Sequence, residues 1–122
     1  MRVLLADSQP QVRFALRLLL ERQLGLTVVG EATDTGDLLS QTETAHPDLV
    51  LLGWEMPDTA AGGLLPALRA IRPGLLVIAL SGWPEARRAA LSAGADAFVS
   101  KSDPPERLLA AIARFRTGRA DR

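Results

Sequence analysis

Five short apolar runs alternate along the chain with longer segments whose apolar residues have helical spacing. The apolar runs are Val3–Ala6, Leu26–Gly30, Leu49–Leu52, Leu75–Leu80 and Ala97–Ser100. Because these runs show no regular alternation with polar residues, they are typical of parallel strands that are covered on both faces. Right-handed crossovers then place helices on both sides of one sheet. The pattern therefore predicts a doubly wound α/β domain built from five βα units.

The first and last helices have the clearest boundary signals. Pro10 suits the first turn of the first helix, and Gly25 follows its end. Asp103 and Glu106 have the spacing of a capping box at the start of the last helix. Weaker signals predict three further helices, which cover residues 36–44, 64–71 and 84–93.

Length and composition favour a single domain with its own core. A chain of 122 residues suits one domain of ordinary size, and a hydrophobic content of 48% supplies a core without metals or disulfides. The chain has no cysteine and no apolar stretch near the ~18 residues of a membrane span, so we expect a soluble cytoplasmic protein without membrane contact. The predicted domain covers residues 1–122, with its core in 2–117 and a short Arg-rich C-terminal tail.

The balance of charge gives no general attraction to nucleic acid. The formal net charge is zero, and the arginines of the carboxyl end complement the dipole of a helix terminus: Arg114, Arg116, Arg119 and Arg122. We therefore expect no direct nucleic-acid binding by this domain.

Residues with distinctive chemistry follow four of the five predicted strands. Asp7 and Ser8 come after the first, Gly53 after the third, Ser81 after the fourth and Lys101 after the fifth. In an open parallel sheet, ligands lie beyond the carboxyl ends of the strands, where the strand order reverses. These positions have the layout of a phosphoryl-binding pocket.

Four segments together resemble the receiver domains of two-component response regulators, and the resemblance covers nearly the whole chain. The segments are Leu4–Arg13, Pro47–Pro57, Ala79–Gly82 and Gly94–Lys101. The first and last are most similar to the branch that usually joins its receiver to a helix-turn-helix DNA-binding domain, and we expect no such output domain here. The resemblance implies a flavodoxin-like fold with a five-stranded sheet in the order 2-1-3-4-5.

The resemblance also implies which residues would carry phosphorylation, and two of them are missing. In the family, two adjacent acids after the first strand and an aspartate after the third bind Mg²⁺, and the latter aspartate accepts the phosphoryl group. Asp7 matches the first acid, whereas Ser8 and Gly53 stand at the other two positions. One carboxylate and a hydroxyl are a poor ligand set for Mg²⁺. We therefore predict a degenerate pocket with no phosphorylation, no metal and no cofactor.

Four further positions match functional residues of the family. Ser81 matches the hydroxyl residue that reaches toward the phosphoryl group, Lys101 its cationic partner, Phe98 the switch aromatic and Glu55 a variable residue that overlooks the pocket. Three of them have a simpler explanation: Lys101 could extend into solvent, Phe98 could be an ordinary core residue, and Glu55 could be a solvated loop acid. As a substitute acceptor, Glu55 would start about 6–7 Å too far along the chain.

Three interpretations of function follow. The first is a non-phosphorylatable receiver that acts by contact with a protein, namely a signalling kinase, a regulator or a second copy in a homodimer. Its candidate surface is formed by the fourth helix, fifth strand and fifth helix, with Trp83, Arg87, Arg88 and Leu91. The second is a flavodoxin-like module that binds a small ligand or anion, although the G-x-G-x-x-G phosphate fingerprint is absent. The third is a receiver fragment of a longer DNA-binding regulator.

An enzymatic function is not expected. Neither Ser8 nor Ser81 has a histidine nearby in the sequence, and the single histidine, His46, falls at the opposite end of a predicted strand. A nucleophile requires a base within hydrogen-bonding distance.

Overall fold

Strands and helices alternate along the chain as the sequence predicts. A computed structural model describes residues 1–59 and 63–120, except for the side chains of 118–120. The strands within these residues are β1 (Arg2–Ala6), β2 (Thr27–Ala32), β3 (Leu49–Gly53), β4 (Leu76–Ser81) and β5 (Ala97–Ser100). The helices are α1 (Pro10–Glu21), α2 (Thr35–Ala45), α3 (Leu64–Ile71), α4 (Ala86–Ser92) and α5 (Pro105–Ala120).

The five strands form one parallel sheet in the order β2-β1-β3-β4-β5. This confirms the predicted doubly wound, flavodoxin-like (βα)5 fold. The order reverses between β1 and β3, whose register pairs Ala6 with Leu52. The next residues along these two strands are Asp7 and Gly53, which consequently lie side by side at the carboxyl edge of the sheet.

Alternate residues of the strands enter two separate cores, one on each face of the sheet. Leu4, Val50 and Val77 pack on one face with residues of α2, α3 and α4. Their neighbours Leu5 and Leu51 pack on the other face with residues of α1 and α5. Because successive side chains of a strand point to opposite faces, continuous apolar runs are required when helices cover both sides.

The start of α5 differs from the sequence prediction. The Asp103 carboxylate accepts a hydrogen bond of 3.2 Å from the backbone N–H of Ser100, and α5 begins only at Pro105. The predicted capping box is therefore wrong, because the short acidic side chain closes the turn after β5 instead. This turn contains Lys101, whose backbone N–H donates to the carbonyl of Ser81 at 2.8 Å.

The predicted Arg-rich tail lies partly on α5, which continues to Ala120, while residues 121–122 lie outside the described residues. Within the described part of the chain, no helix is both long enough and apolar enough to cross a membrane.

Candidate functional site

The carboxyl edge of the sheet gathers the predicted pocket residues. A cavity of about 320 Å³ is lined by Asp7, Ser8, Gln9, Glu55, Gly82, Trp83 and Lys101. Gly53 ends β3 beside Asp7, and Ser81 ends β4 with its side chain fully buried. The fold thus brings together all six residues of the predicted degenerate pocket, although Ser8 is exposed at its rim.

An ion pair between Asp7 and Lys101 lies at the centre of the pocket. Lys101 Nζ is 2.8 Å from Asp7 Oδ2, and the side chains are 20% and 4% exposed. The contact is a charge pair and not a well-oriented hydrogen bond, since Oδ2 has no hydrogen-bond partner among the described residues. The other oxygen, Oδ1, accepts from the backbone N–H of Gln9 at 2.9 Å. The lysine thus points into the pocket and not into solvent.

The backbone conformation of Gly53 does not call for glycine, but a side chain at this position would require the Asp7 carboxylate to move. Its φ lies outside the left-handed region, unlike those of Gly25, Gly63 and Gly94. A Cβ atom at this position would lie 2.8 Å from the carboxyl carbon of Asp7 and closer still to its Oδ2 atom. Real Cβ atoms do not make such contacts. The Asp7 carboxylate therefore fills the space into which a side chain at residue 53 would project.

A turn after β3 folds Glu55 back over the pocket. The turn is closed by a 3.2 Å hydrogen bond from the N–H of Met56 to the carbonyl of Gly53. Glu55 Oε1 accepts from Ser81 Oγ at 2.6 Å and from the N–H of Gly82 at 2.8 Å. Its other oxygen lies 3.8 Å from Lys101 Nζ. Glu55 is thus held over the pocket by these contacts, although its side chain is 37% exposed. The sequence estimate of its distance assumed an extended chain, whereas the chain turns after β3.

These contacts change the acidity of Glu55. Partial burial raises its pKa, but the hydrogen bonds from Ser81 and Gly82 and the positive charge of Lys101 outweigh burial, so the pKa is lowered overall. The carboxylate is therefore ionised at neutral pH. It presents an anion to the serine hydroxyl and the lysine.

The lowered pKa predicts a pH-dependent contribution to stability. A carboxylate with a lowered folded-state pKa stabilises the fold above its unfolded-state pKa of about 4.3. That contribution is lost as the pH falls through the folded-state pKa. We expect less than about 1 kcal/mol, because solvent screens a partly exposed charge, and this side chain is 37% exposed.

Urea unfolding of the wild type and of Glu55→Gln between pH 7 and pH 3.5 measures this contribution. The difference in the free energy of unfolding between the wild type and Glu55→Gln should shrink as the pH falls. A difference that stays constant with pH would contradict the prediction. Glu43, which is exposed and has no polar side-chain contact among the described residues, supplies the matched control Glu43→Gln.

The pocket does not fit the Mg²⁺ site that the resemblance implies. Its carboxylates are Asp7 and Glu55, and Lys101 Nζ lies within 4 Å of both. Gly53 supplies no ligand, and the described residues contain no cluster of three or more His, Cys, Asp or Glu able to hold a metal ion. An ammonium group in this position repels a cation and neutralises the oxygens that would bind it.

The aromatic residues near the pocket differ in exposure. Trp83 is 63% exposed and lines the pocket mouth, where its backbone N–H donates to Ser81 Oγ at 2.9 Å. Trp54 is buried in the core cluster on the α2, α3 and α4 face. Phe98 is half-buried and packs against the same cluster, which agrees with a packing role. Trp83 is thus the aromatic residue that solvent and ligands can reach.

The residues predicted for an interface divide into two groups. Arg87 and Leu91 line a separate groove that lies over β5 between α4 and α5. Trp83 and Arg88 are exposed but lie outside the lining of this groove. The four residues therefore do not all converge on one groove, and the interface itself stays a prediction.

Two contributors to the pocket were missed at the level of sequence. Gln9 donates its backbone N–H to Asp7, and Arg13 Nη1 donates to the Asp7 carbonyl at 2.7 Å. The first contact has a signal in the sequence, because an aspartate commonly accepts from the N–H two residues later in an Asx-turn. The second depends on the packing of α1 and has no local signal.

Comparison with known proteins identifies similar sequences along most of the chain. Residues 3–113 match the family model of the response regulator receiver domain. The probable transcriptional regulatory protein SgaR of Hyphomicrobium methylovorum is 33% identical over 119 residues, which are 96% of this chain and 56% of that protein. The nitrate/nitrite response regulator protein NarL of Escherichia coli is 32% identical over 118 residues, which are 95% of this chain and 55% of that protein. The chain thus spans about half the length of these relatives.

Solved structures show the same architecture. The isolated REC domain of RcsB from Salmonella enterica serovar Typhimurium, solved in the presence of the phosphomimetic BeF3-, superposes with a TM-score of 0.84 at 28% identity. The match covers 97% of this chain and 89% of that one. A LuxR-family two-component response regulator from an Aurantimonas species superposes with a TM-score of 0.85 at 30% identity and covers 96% and 85% of the two chains.

Proposed function

The chain belongs to the response regulator receiver domain family, and from this membership we propose that it is a receiver of two-component signalling that is not phosphorylated and acts through protein contact. The observation that carries the proposal is the pair formed by Gly53 and Asp7. The residue at the end of β3 has no nucleophile, and the Asp7 carboxylate fills the space beside it.

The remaining phosphoryl-binding groups already have partners within the protein. Lys101 pairs with Asp7, and the Ser81 hydroxyl donates to Glu55. A phosphoryl group would have to displace both carboxylates, against charge repulsion from each. The pocket therefore favours its own internal anions over an incoming one.

Glu55 is the strongest alternative acceptor, and its contacts argue against that role. One of its oxygens is occupied by two hydrogen bonds, and its pKa is lowered, which weakens a carboxylate as a nucleophile. Phosphoryl transfer depends on in-line positioning of acceptor and metal. A pocket without a fitting metal site does not supply this positioning.

Protein contact is the activity that this architecture retains. The two named relatives are a probable transcriptional regulatory protein and a nitrate/nitrite response regulator protein, and neither is named as an enzyme. The proposed partner is a signalling kinase, another regulator or a second copy, which meets the face formed by α4, β5 and α5. The family match over residues 3–113 does not favour the alternative of a small-ligand module.

Treatment with a small phosphodonor and Mg²⁺ tests this proposal directly. We expect intact-mass measurement to show no gain of the about 80 Da that one phosphoryl group adds. A stoichiometric gain at physiological pH would overturn the proposal. The loop after β3 contains a second acid, Asp58, which is exposed. The variants Glu55→Gln and Asp58→Asn, tested in parallel, would then show whether either loop acid is the acceptor.

A further inference from the structure

The segment that joins β4 to α4 has few apolar contacts to hold it in place. Residues 82–85 are all exposed. The helix that follows has seven residues, of which only Ala90 is buried, and its N-cap residue, Glu85, makes no side-chain hydrogen bond to the helix. Segments with so little buried apolar surface are among the least stable parts of a fold. The position of this segment therefore depends on its polar contacts.

Two backbone hydrogen bonds hold the start of this segment, and both lead to Glu55. The N–H of Gly82 donates directly to Glu55 Oε1 at 2.8 Å. The N–H of Trp83 donates to Ser81 Oγ at 2.9 Å, and this hydroxyl donates to the same Glu55 oxygen at 2.6 Å. Because a hydroxyl carries one proton, its bond to Glu55 leaves only lone pairs for Trp83. Among the described residues, neither N–H group has another acceptor.

The two ends of α4 are held by different parts of the molecule. At its start, the N–H of Ala86 donates to the carbonyl of Trp83 at 3.0 Å, so the held segment supplies an acceptor for the first turn. Beyond its end, the carbonyl of Gly94 accepts from Arg69 Nη1 at 2.8 Å. The amino end of α4 is thus connected to the edge of the sheet through Glu55, whereas its carboxyl end is held independently.

Glu55 itself projects from a fixed base. Its neighbours Trp54 and Met56 are 7% and 3% exposed, respectively. The N–H of Trp54 also donates to the carbonyl of Leu80 at 2.8 Å, which fixes the turn against β4. Hydrogen bonds to an ionised carboxylate are stronger than those between neutral groups, and Lys101 Nζ lies 3.8 Å from the second oxygen of Glu55. A side chain with a buried base and a charged end is suited to hold a neighbouring loop.

From these contacts we propose that Glu55 is an internal latch, which holds the start of α4 in one arrangement without any bound ligand. The consequence for signalling rests on the proposed function, in which α4 belongs to the face that meets a partner. The arrangement of that face then depends on a side chain of the protein itself and not on an added phosphoryl group. A Glu55 that served only as a surface acid would leave the order of residues 82–83 unchanged when it is removed.

Backbone order measured by ¹⁵N NMR relaxation tests the latch in the intact chain. In the wild type we expect the amides of Gly82 and Trp83 to have order parameters near the value of about 0.85 for a rigid backbone. In Glu55→Ala they should fall below about 0.6, the range of flexible segments, while the amides of β2 at the far edge of the sheet stay unchanged. Unchanged order in Glu55→Ala, or a flexible segment already in the wild type, would overturn the proposal.

Two further variants separate the latch from a general effect of losing a charge. Glu43→Ala removes an exposed acid that has no polar side-chain contact among the described residues, and it should leave the order of Gly82 and Trp83 unchanged. Glu55→Gln keeps an oxygen that can accept from Ser81 and Gly82, so the segment should stay rigid. A loss of order in either variant as large as that in Glu55→Ala would overturn the hydrogen-bonded latch.

Ser81→Ala distinguishes the two hydrogen bonds of the latch. The N–H of Trp83 loses its acceptor in this variant, whereas the N–H of Gly82 keeps its direct bond to Glu55. We therefore expect the order parameter of Trp83 to fall and that of Gly82 to stay near the wild-type value. An equal loss at both positions, or no loss at either, would contradict the arrangement in which one bond is direct and the other passes through the hydroxyl.

The test of the latch is independent of the test of the proposed function. The NMR samples contain neither a phosphodonor nor Mg²⁺, so order parameters that contradict the latch leave the mass measurement of phosphorylation intact. A mass gain on treatment with a phosphodonor would overturn the proposed function and would leave the order parameters of Gly82 and Trp83 as measured. Failure of one proposal is therefore distinguishable from failure of the other.

Discussion

Replacing Lys101 with methionine is expected to lower the free energy of unfolding by about 3 kcal/mol, the lower end of the range for breaking a buried ion pair. The substitution leaves the Asp7 carboxylate, which is 4% exposed, beside an apolar side chain. The lower end applies because the Lys101 side chain is itself 20% exposed. Urea unfolding at pH 7 measures the loss.

A double variant tests whether the charge of Asp7 causes that loss. Combining Lys101→Met with Asp7→Asn removes both charges, and we expect it to recover most of the stability lost in the single variant. Arg88→Met is the matched control at an exposed cation without a partner. A loss below about 1 kcal/mol for Lys101→Met, as at an ordinary surface pair, would show that the ion pair does not organise the pocket.

Introducing a side chain at position 53 is the second change with a large expected effect. We expect Gly53→Ala to destabilise the fold by about 1–3 kcal/mol, the usual range for overpacking. Its Cβ atom would press against the carboxyl group of Asp7. Gly53→Asp should cost more, because a third carboxylate would then share one lysine with Asp7 and Glu55. Thermal and urea unfolding in a metal-free buffer measure both.

Gly74 supplies the matched control for the glycine substitutions. It has no atom within 4 Å of an added Cβ and no left-handed φ. Gly74→Ala should therefore leave stability unchanged or raise it by up to about 1 kcal/mol through the entropy of the unfolded chain. If Gly53→Ala behaves like Gly74→Ala, the space beside Asp7 is not filled as the structure shows.

Restoring both missing acids should create a stabilising response to magnesium. Ser8→Asp with Gly53→Asp is expected to be less stable than the wild type without metal and to gain stability when Mg²⁺ is added, because the new carboxylates repel one another until a cation binds. The wild type should show no such dependence. A chelator-controlled melt of the double variant that does not respond to Mg²⁺ would contradict the assignment of Ser8 and Gly53.

The convergence of the strand ends followed from the order of residues along the chain. Asp7, Gly53, Ser81 and Lys101 each follow or end a continuous apolar run, and in a parallel sheet such positions meet at one edge. The strand order was implied by the resemblance to receiver domains, and the observed sheet confirms it. The bounds of α3 agree with the prediction, whereas α4 begins at Ala86 and not at Pro84, because propensity locates helix ends poorly.

The contents of the pocket were less accessible to sequence reasoning. The sequence estimate placed Glu55 too far from the acceptor position because it assumed an extended chain. The turn after β3 instead brings its carboxylate to Ser81. Asp103 was assigned to the wrong turn, since a short acidic side chain can close either of two adjacent turns. Both errors concern loops, where a single hydrogen bond changes the direction of a side chain.

By itself, the sequence determined the βα alternation, the two-faced burial of the strands and the absence of a carboxylate at residue 53. These follow from local periodicity and residue identity, which need no knowledge of distant contacts. Only the tertiary structure decided that Asp7 fills the space beside Gly53 and that Glu55 reaches back to Ser81. Those properties arise between segments distant along the chain, and their distances are set by how the helices pack on the sheet.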